Sequence, residues 1–213
     1  MRNAVNQRRP VKVAVIDYGM GNLHSVSKAL EHAGAAVDLI QQPEQLDQYD
    51  RAVLPGVGAM GACVEGIRAA GFDQALAEYV KSRPMLGVCV GMQVLFESGD
   101  ESGGVDGLSW FHGQVNHFDP TITQQGLKIP HMGWNQVSHQ GHALFDGIPS
   151  DERFYFVHSY RVAESAEAIA YSDHGGSFVA AVGRDNVVAT QFHPEKSQHA
   201  GLQLYANFLK WMP

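Results

Sequence analysis

The stretch GVCVGMQ, from Gly87 to Gln93, places a cysteine between two glycines where an apolar run gives way to a predicted helix. The glycines permit a tight turn from strand to helix, and the residue at its apex often has a strained backbone. We therefore expect Cys89 to project from the carboxyl end of a buried strand, at a helix N-terminus that favours the nucleophilic thiolate. The alternative for Cys89 is a small hydrophobic core residue. Cys63 lacks this setting, and we predict that it is structural.

Strands and helices alternate around this stretch in the first half of the chain. Strands are predicted at VKVAVID, AAVDLI, RAVLP and PMLGVC, with a helix at residues 23–33, a helical segment at residues 62–81 that Gly71 interrupts, and a helix at MQVLFES. Apolar, β-branched strands of this kind are typical of a parallel sheet that is buried on both faces. We predict an α/β fold: one domain at residues 11–213, after a polar tail at residues 1–10, with a mixed, mostly parallel sheet flanked by helices.

The second half of the chain has a different pattern. Short aromatic and β-branched runs at WFHGQVNHF, FYFVHSYRV and FVAAV predict antiparallel strands. The segment GLQLYANFLKWM predicts a helix that ends this half. Leu202, Tyr205, Leu209 and Met212 share one of its faces, and we expect that face to pack on the sheet.

Composition and charge exclude several classes of protein. The chain has 15 Lys and Arg against 22 Asp and Glu, a formal net charge of −7, which argues against a nucleic-acid partner. It has neither an apolar run long enough to span a membrane nor the pattern of a signal peptide, so we predict a cytoplasmic protein. Two cysteines without a C-x-x-C pair fit a reducing compartment and give no sign of structural zinc.

The segment TQFHPEKS supplies a base for a nucleophilic cysteine. His193 stands at the end of an apolar run, and Glu195 follows two residues later. A carboxylate beside an imidazole fixes its tautomer and stabilises the imidazolium, which is the third role in a catalytic triad. Because ligands bind at the carboxyl ends of parallel strands, we expect Cys89 and His193 to meet there. The alternative is that Cys89, His193 and Glu195 bind a metal, although no second cysteine or histidine stands at the spacing of a metal pair.

The loop PGVG, from Pro55 to Gly58, follows another predicted strand. We expect the backbone N–H groups of Val57 and Gly58, together with that of Val90 directly after the cysteine, to form an oxyanion hole. The glycines of this loop also permit a peptide flip, which makes the loop our candidate for a regulatory switch.

The order of PGVG, G-x-C-x-G-M-Q and H-P-E resembles that of the class I, or triad, glutamine amidotransferases, from Val11 onward. The stretches DYGMGNLHSV, IPHMGWN and FYFVHSY and the Lys-Ser pair after HPE resemble more narrowly the glutaminase subunits of imidazole glycerol phosphate synthase, which belong to histidine biosynthesis. The resemblance implies a flavodoxin-like fold and a hydrolase that needs no cofactor and no metal. It also implies a γ-glutamyl thioester on Cys89, with the substrate glutamine held by the following residues: Gln93, His158, Ser159 and Tyr160.

A partner enzyme is expected because one glutaminase domain accounts for all of the chain from Val11 onward. Ammonia that escapes into water is mostly protonated, so a second protein has to take it directly. By resemblance this partner is a cyclase subunit, a TIM barrel that forms a heterodimer with the glutaminase, and whose reaction with the ammonia is a lyase reaction. Asn22, Trp134 and Lys196 are our candidates for the interface. The alternatives are a glutaminase that serves another synthase, such as that for pyridoxal phosphate, and an inactive docking module.

Overall fold

Thirteen strands and five α-helices make up residues 9–213, the part of the chain that this computed structural model describes. The predicted polar tail falls mainly on residues 1–8, which lie outside the described residues. The strands are β1 (Lys12–Ile16), β2 (Ala36–Ile40), β3 (Arg51–Gly56), β4 (Met85–Cys89), β5 (Phe96–Gly99), β6 (Val105–Asp106), β7 (Phe111–His117), β8 (His131–His139), β9 (Glu152–His158), β10 (Tyr160–Val162), β11 (Ala168–Asp173), β12 (Ser177–Arg184) and β13 (Val187–Thr190). The helices are α1 (Leu23–His32), α2 (Met60–Ala69), α3 (Phe72–Tyr79), α4 (Val90–Gln93) and α5 (Gln198–Lys210).

The large sheet has nine strands in the order β2-β1-β3-β4-β13-β12-β11-β8-β9. Its first five strands are parallel, and from β13 onward each neighbouring pair is antiparallel. The mixed sheet is therefore as predicted, but its parallel part is confined to one half. Because β3, β4 and β13 are parallel neighbours, their carboxyl ends lie side by side, which is where ligands bind in such sheets.

A second, four-stranded sheet has the order β10-β7-β5-β6 and was not predicted. The prediction of a helix at MQVLFES is therefore wrong beyond its first residues: α4 ends at Gln93, and Phe96 begins β5. Val94, Leu95 and Phe96 are all fully buried, and their carbonyls accept hydrogen bonds from the backbone of residues 108–111. This run is buried on every side as the chain turns into β5, whereas an amphipathic helix would leave one face in water.

The C-terminal helix α5 buries Tyr205 and Leu209, two of the four residues predicted to pack on the sheet, but not the other two. The residues that it buries include Gly201, Leu204, Tyr205 and Phe208, which recur at helical spacing. Leu202 is only half-buried, and Met212 lies beyond the end of the helix with 87% of its surface exposed. The break between α2 and α3 at Gly71, which has a φ of 74°, is as predicted. None of the helices in residues 9–213 is long and apolar enough to cross a membrane.

Candidate active site

Cys89 lies at the sharp turn between β4 and α4. Its φ of 57° and ψ of −112° place it in a region that residues other than glycine rarely adopt, as the sequence predicted for this turn. The flanking glycines allow the chain to pass close to its neighbours. A Cβ atom on Gly91 would lie 1.9 Å from the carbonyl oxygen of Leu54, and one on Gly87 would lie 2.6 Å from that of Gly91. The turn therefore exists only with glycine at both positions.

His193 and Glu195 lie beside this turn because β13 pairs with β4, with Thr190 opposite Val88. The ring Nδ1 of His193 is 2.7 Å from Oε1 of Glu195, and both side chains are buried. The backbone of His193 is held as well: its N–H donates to the carbonyl of Tyr155 at 2.9 Å, and its carbonyl accepts from the hydroxyl of Ser197 at 2.6 Å. The imidazole is thus fixed in orientation by the carboxylate and in position by β9.

The electrostatics of His193 fit a proton-transfer role. Burial alone would lower its pKa, but the Cys89 sulfur, and after it the Glu195 carboxylate, raise the pKa to about 10. Its Nε2 is buried and has no conventional hydrogen-bond partner within the described residues. A buried ring nitrogen next to a thiol, with its affinity for the proton raised by that thiol, is the arrangement expected of a group that takes up the thiol proton.

We expect the pKa of His193 to fall in Cys89→Ala and, by less, in Glu195→Gln, because each substitution removes a charge that favours the imidazolium. NMR titration of the imidazole measures this directly. The raised pKa also stabilises the fold: this contribution is full below pH 6.5 and is lost as the pH rises towards 10. A higher pKa in Cys89→Ala than in the wild type would contradict the pairing of the sulfur with the imidazole.

A cavity of about 210 Å³ brings the predicted site together. Its walls contain Cys89 and His193, the three predicted oxyanion residues, the four predicted substrate residues and Lys196, and the full lining is Val57, Gly58, Cys89, Val90, Gln93, Val157, His158, Ser159, Tyr160, His193 and Lys196. A larger, more open hollow of about 810 Å³ is lined by residues such as His112, Arg161 and Tyr171 and contains no member of the predicted triad. The smaller cavity is therefore the candidate active site.

The PGVG loop is held from behind by two buried side chains. The hydroxyl of Tyr18 donates to the carbonyl of Pro55 at 2.7 Å, and the thiol of Cys63 lies 3.5 Å from the carbonyl of Val57. Burial raises the pKa of both Tyr18 and Cys63, which favours their protonated, donating forms. Cys63 is buried, as predicted for a structural residue, and its structural contact is with this loop.

The predicted substrate residues line the cavity, but two of their side chains already have protein partners. The amide nitrogen of Gln93 donates to the carbonyl of Tyr160 at 3.1 Å and to Gln191 Oε1 at 2.9 Å. The ring of His158 is hydrogen-bonded to the same carbonyl of Tyr160. These contacts build the wall of the cavity from its own residues.

The sequence did not single out Gln191, which is fully buried. It bonds to Gln93, and its amide nitrogen lies 3.9 Å from the Cys89 sulfur. The only feature of the sequence that could have identified Gln191 is its place two residues before His193. Both residues follow the end of β13, at the edge of the sheet where Cys89 lies. Groups of three or more potential metal ligands are absent from residues 9–213, which gives no support to the metal alternative.

Of the three predicted interface residues, only Lys196 lines the cavity, and the other two lie on neighbouring segments. Trp134 on β8 is 42% exposed and contacts the Tyr155 ring edge-on, and the Lys196 ammonium lies 5.7 Å from the centre of that ring. Met132, two residues before Trp134, is 63% exposed. Asn22 lies on the loop that contains Tyr18, and Gly21 of this loop packs close to Pro55. Trp134 therefore shares a neighbour with a residue of the cavity wall, and the loop of Asn22 packs on the chain two residues before Val57.

This fold, with this cysteine–histidine–glutamate site, defines a class of glutaminases. Residues 14–211 match the family described as "Glutamine amidotransferase class-I". Solved structures support the fold: a glutamine amidotransferase has a TM-score of 0.72 at 18% identity, covering 93% of this chain and 97% of that chain. PurLQS from Thermotoga maritima has a TM-score of 0.71 at 18% identity, covering 94% and 98%.

Curated relatives show to which group within this family the chain belongs. The imidazole glycerol phosphate synthase subunit HisH of Acinetobacter baylyi is 50% identical over 204 residues, covering 94% of this chain and 98% of the relative. The HisH subunit of Neisseria meningitidis serogroup A is 47% identical over 213 residues, covering 94% and 100%. The chain belongs to the class-I glutamine amidotransferases and, among them, to the HisH subunits of imidazole glycerol phosphate synthase.

Proposed function

We propose that the chain hydrolyses glutamine at Cys89 and passes the ammonia to a cyclase subunit in histidine biosynthesis. The observation that carries this proposal is the shared cavity, in whose walls the cysteine, its base and the PGVG loop meet. Membership of the HisH subunits supports the pathway and the enzyme complex.

The proposed chemistry follows from the positions of the three side chains. His193 takes the thiol proton, and the Cys89 sulfur attacks the carboxamide carbon of glutamine. The imidazolium then returns the proton to the departing nitrogen, so that ammonia leaves and a γ-glutamyl thioester remains. Water hydrolyses the thioester to glutamate and restores the thiol. Glu195 keeps the imidazole in the tautomer that this exchange needs, through its 2.7 Å contact with Nδ1.

Charge develops on the carboxamide oxygen during this attack. We propose that backbone N–H groups of Val57, Gly58 and Val90 stabilise it, since all three residues line the cavity beside Cys89. The substrate residues Gln93, His158, Ser159 and Tyr160 line the same cavity and are proposed to hold the amino-acid end of glutamine. Removing a single oxyanion donor costs about 10²–10³ in rate in comparable enzymes.

The proposed partner is the TIM-barrel cyclase subunit, bound as a heterodimer over the mouth of the cavity. Trp134 and Lys196 share Tyr155 as a neighbour, which makes one exposed surface of aromatic and cationic groups at the rim. Exposed tryptophan is typical of interface anchors. Asn22 is proposed to contact the partner from the loop that packs on Pro55. Docking here would cover the site from which ammonia leaves.

The test is glutamate release from glutamine by the purified protein, alone and with a cyclase subunit plus its nucleotide ligand. Strong stimulation by the cyclase supports the proposal. Activity that ignores the cyclase would favour a glutaminase serving another acceptor, such as pyridoxal phosphate synthase. Absence of hydrolysis under all conditions would favour an inactive docking module, which the presence of cysteine, base and carboxylate in one site argues against.

Gly58→Val tests the oxyanion loop. Gly58 has a φ of 83° and open space around its Cα, so a side chain would strain the backbone without striking a neighbour. We expect cyclase-stimulated glutamate release to fall about 100-fold, while the dissociation constant of the partner changes less than about threefold. Gly126→Val is the matched control, because Gly126 also has a positive φ, of 80°, and open space around it, but does not line the cavity. Equal losses of activity and partner binding in Gly58→Val would count against the loop as the switch.

A further inference from the structure

Three buried or half-buried side chains form a chain of hydrogen bonds behind the wall of the glutamine cavity. His158 Nδ1 lies 2.8 Å from the carbonyl oxygen of Tyr160, and His158 Nε2 lies 2.9 Å from His131 Nδ1. His131 Nε2 in turn lies 3.2 Å from the amide nitrogen of Asn135. We call Asn135, His131 and His158 the histidine relay. It runs from the middle of β8 to the start of β10.

The partners fix the direction of every bond in the histidine relay. A carbonyl oxygen only accepts, so Nδ1 of His158 carries the proton and its Nε2 accepts from Nδ1–H of His131. Nε2 of His131 is then an acceptor for Asn135, whose second amide hydrogen is donated to the carbonyl of Asp173 at 2.7 Å. Both imidazoles are therefore neutral, and each has one defined tautomer. Burial favours this state, since it lowers the pKa of His131 to about 4 and that of His158 to about 3.

Packing fixes the ring of His131 as firmly as its hydrogen bonds do. The ring is stacked between His174, with ring centres 4.1 Å apart, and Phe156, with ring centres 4.9 Å apart. His174 is held by its own bond to the carbonyl of Lys128 at 2.8 Å. With little freedom to rotate, His131 presents its N–H to His158 in one direction.

The relay ends on an atom that the glutamine site shares. The carbonyl of Tyr160 accepts from both His158 and Gln93, and so joins β10 to the helix that follows the nucleophile. In the other direction, β8 alternates: His131 and Asn135 face inward, while Met132 and Trp134 face outward on the proposed partner surface. The same strand thus has relay residues on one face and the exposed surface on the other.

We propose that His131, which does not line the cavity, is a positioning residue for glutamine binding: through His158 it holds the Tyr160 carbonyl and with it the 158–160 wall. The kinetic consequence of this inference rests on the proposed glutaminase function, whereas the existence of the histidine relay does not. Because the wall binds substrate and does not take part in bond breaking, the loss of His131 raises KM for glutamine more than it lowers kcat.

The kinetic test compares three variants in the complex with the cyclase. His131→Phe keeps an aromatic ring for stacking but removes the N–H, and we expect KM for glutamine to rise about tenfold with kcat within about threefold of the wild type. His131→Asn retains an N–H close to the position of Nδ1 and is expected to restore most of the lost affinity. His139→Phe is the matched control: His139 is a half-buried histidine of β8, stacked on Phe145 and bonded to the Ile148 carbonyl, away from the cavity.

NMR of the ¹⁵N-labelled protein tests the relay without any assay of activity. An N–H···N bond transmits a scalar coupling between its two nitrogens, and we expect this coupling between His131 Nδ1 and His158 Nε2 in the wild type. Its absence in the wild type would overturn the relay whatever the kinetics show. A wild-type coupling with unchanged KM in a folded His131→Phe would overturn the positioning role, whereas an inactive wild type would refute the glutaminase proposal instead.

Discussion

Cys89→Ala is expected to reduce glutamate release in the complex with the cyclase by a factor of about 10⁴ or more. The substitution removes the proposed nucleophile, the sulfur that shares the cavity wall with His193. Alanine fits the space of the thiol, but the strained φ of 57° remains, so the fold has to be checked by circular dichroism and by binding of the cyclase. The assay measures glutamate under saturating glutamine.

Cys63→Ala is the control for this result, because it removes the other cysteine of the chain and leaves Cys89 in place. We expect its activity to stay within about tenfold of the wild type, since it removes one weak contact to the carbonyl of Val57. Mass spectrometry of acid-quenched reactions provides a second observation: a γ-glutamyl adduct on the peptide that contains Cys89, absent from Cys89→Ala. Undiminished hydrolysis by Cys89→Ala would refute the nucleophile.

Gly91→Ala is expected to have the largest effect on stability. The added Cβ would lie 1.9 Å from the carbonyl oxygen of Leu54, which is backbone in the middle of the sheet and has no room to move. Relief of this overlap requires α4 to shift away from β3, so we expect a loss of about 3 kcal/mol or more in the free energy of unfolding. For a domain of this size, the Tm falls by about 10 °C.

Gly61→Ala is the matched control for the glycine substitution. Gly61 lies in α2, and a Cβ there would meet only the side chain of Val105 at 3.3 Å. We expect its free energy of unfolding to remain within about 1 kcal/mol of the wild type, as measured by urea denaturation. Similar losses in Gly61→Ala and Gly91→Ala would show that the close approach of Gly91 to Leu54 is not the reason why glycine is required there.

Short-range patterns predicted most of what the catalytic side chains require. Cys89 between glycines, His193 at the end of an apolar run and Glu195 two residues later are local features, and in a parallel sheet strand ends meet at one edge. Long-range pairing was harder to predict. Val94 to Phe96 are as apolar as a buried helix, and only the hydrogen bonds from residues 108–111 show that the chain turns after Gln93 and enters β5 at Phe96. Met212 kept the helical period but stands beyond the last turn of α5, in water.

The sequence by itself predicted the class of fold, the sharp turn at Cys89, the proposed base with its carboxylate, and the glycine loop, because each depends on residues close together in the chain. Only the tertiary structure decided that Gln191 joins the site, that Tyr18 and Cys63 support the loop, and that His131 lies behind the substrate wall. These contacts join segments that are far apart in sequence, and they depend on which strands pair and in what register. Periodicity places a residue on a face of its own element, but it does not say which side chain lies opposite.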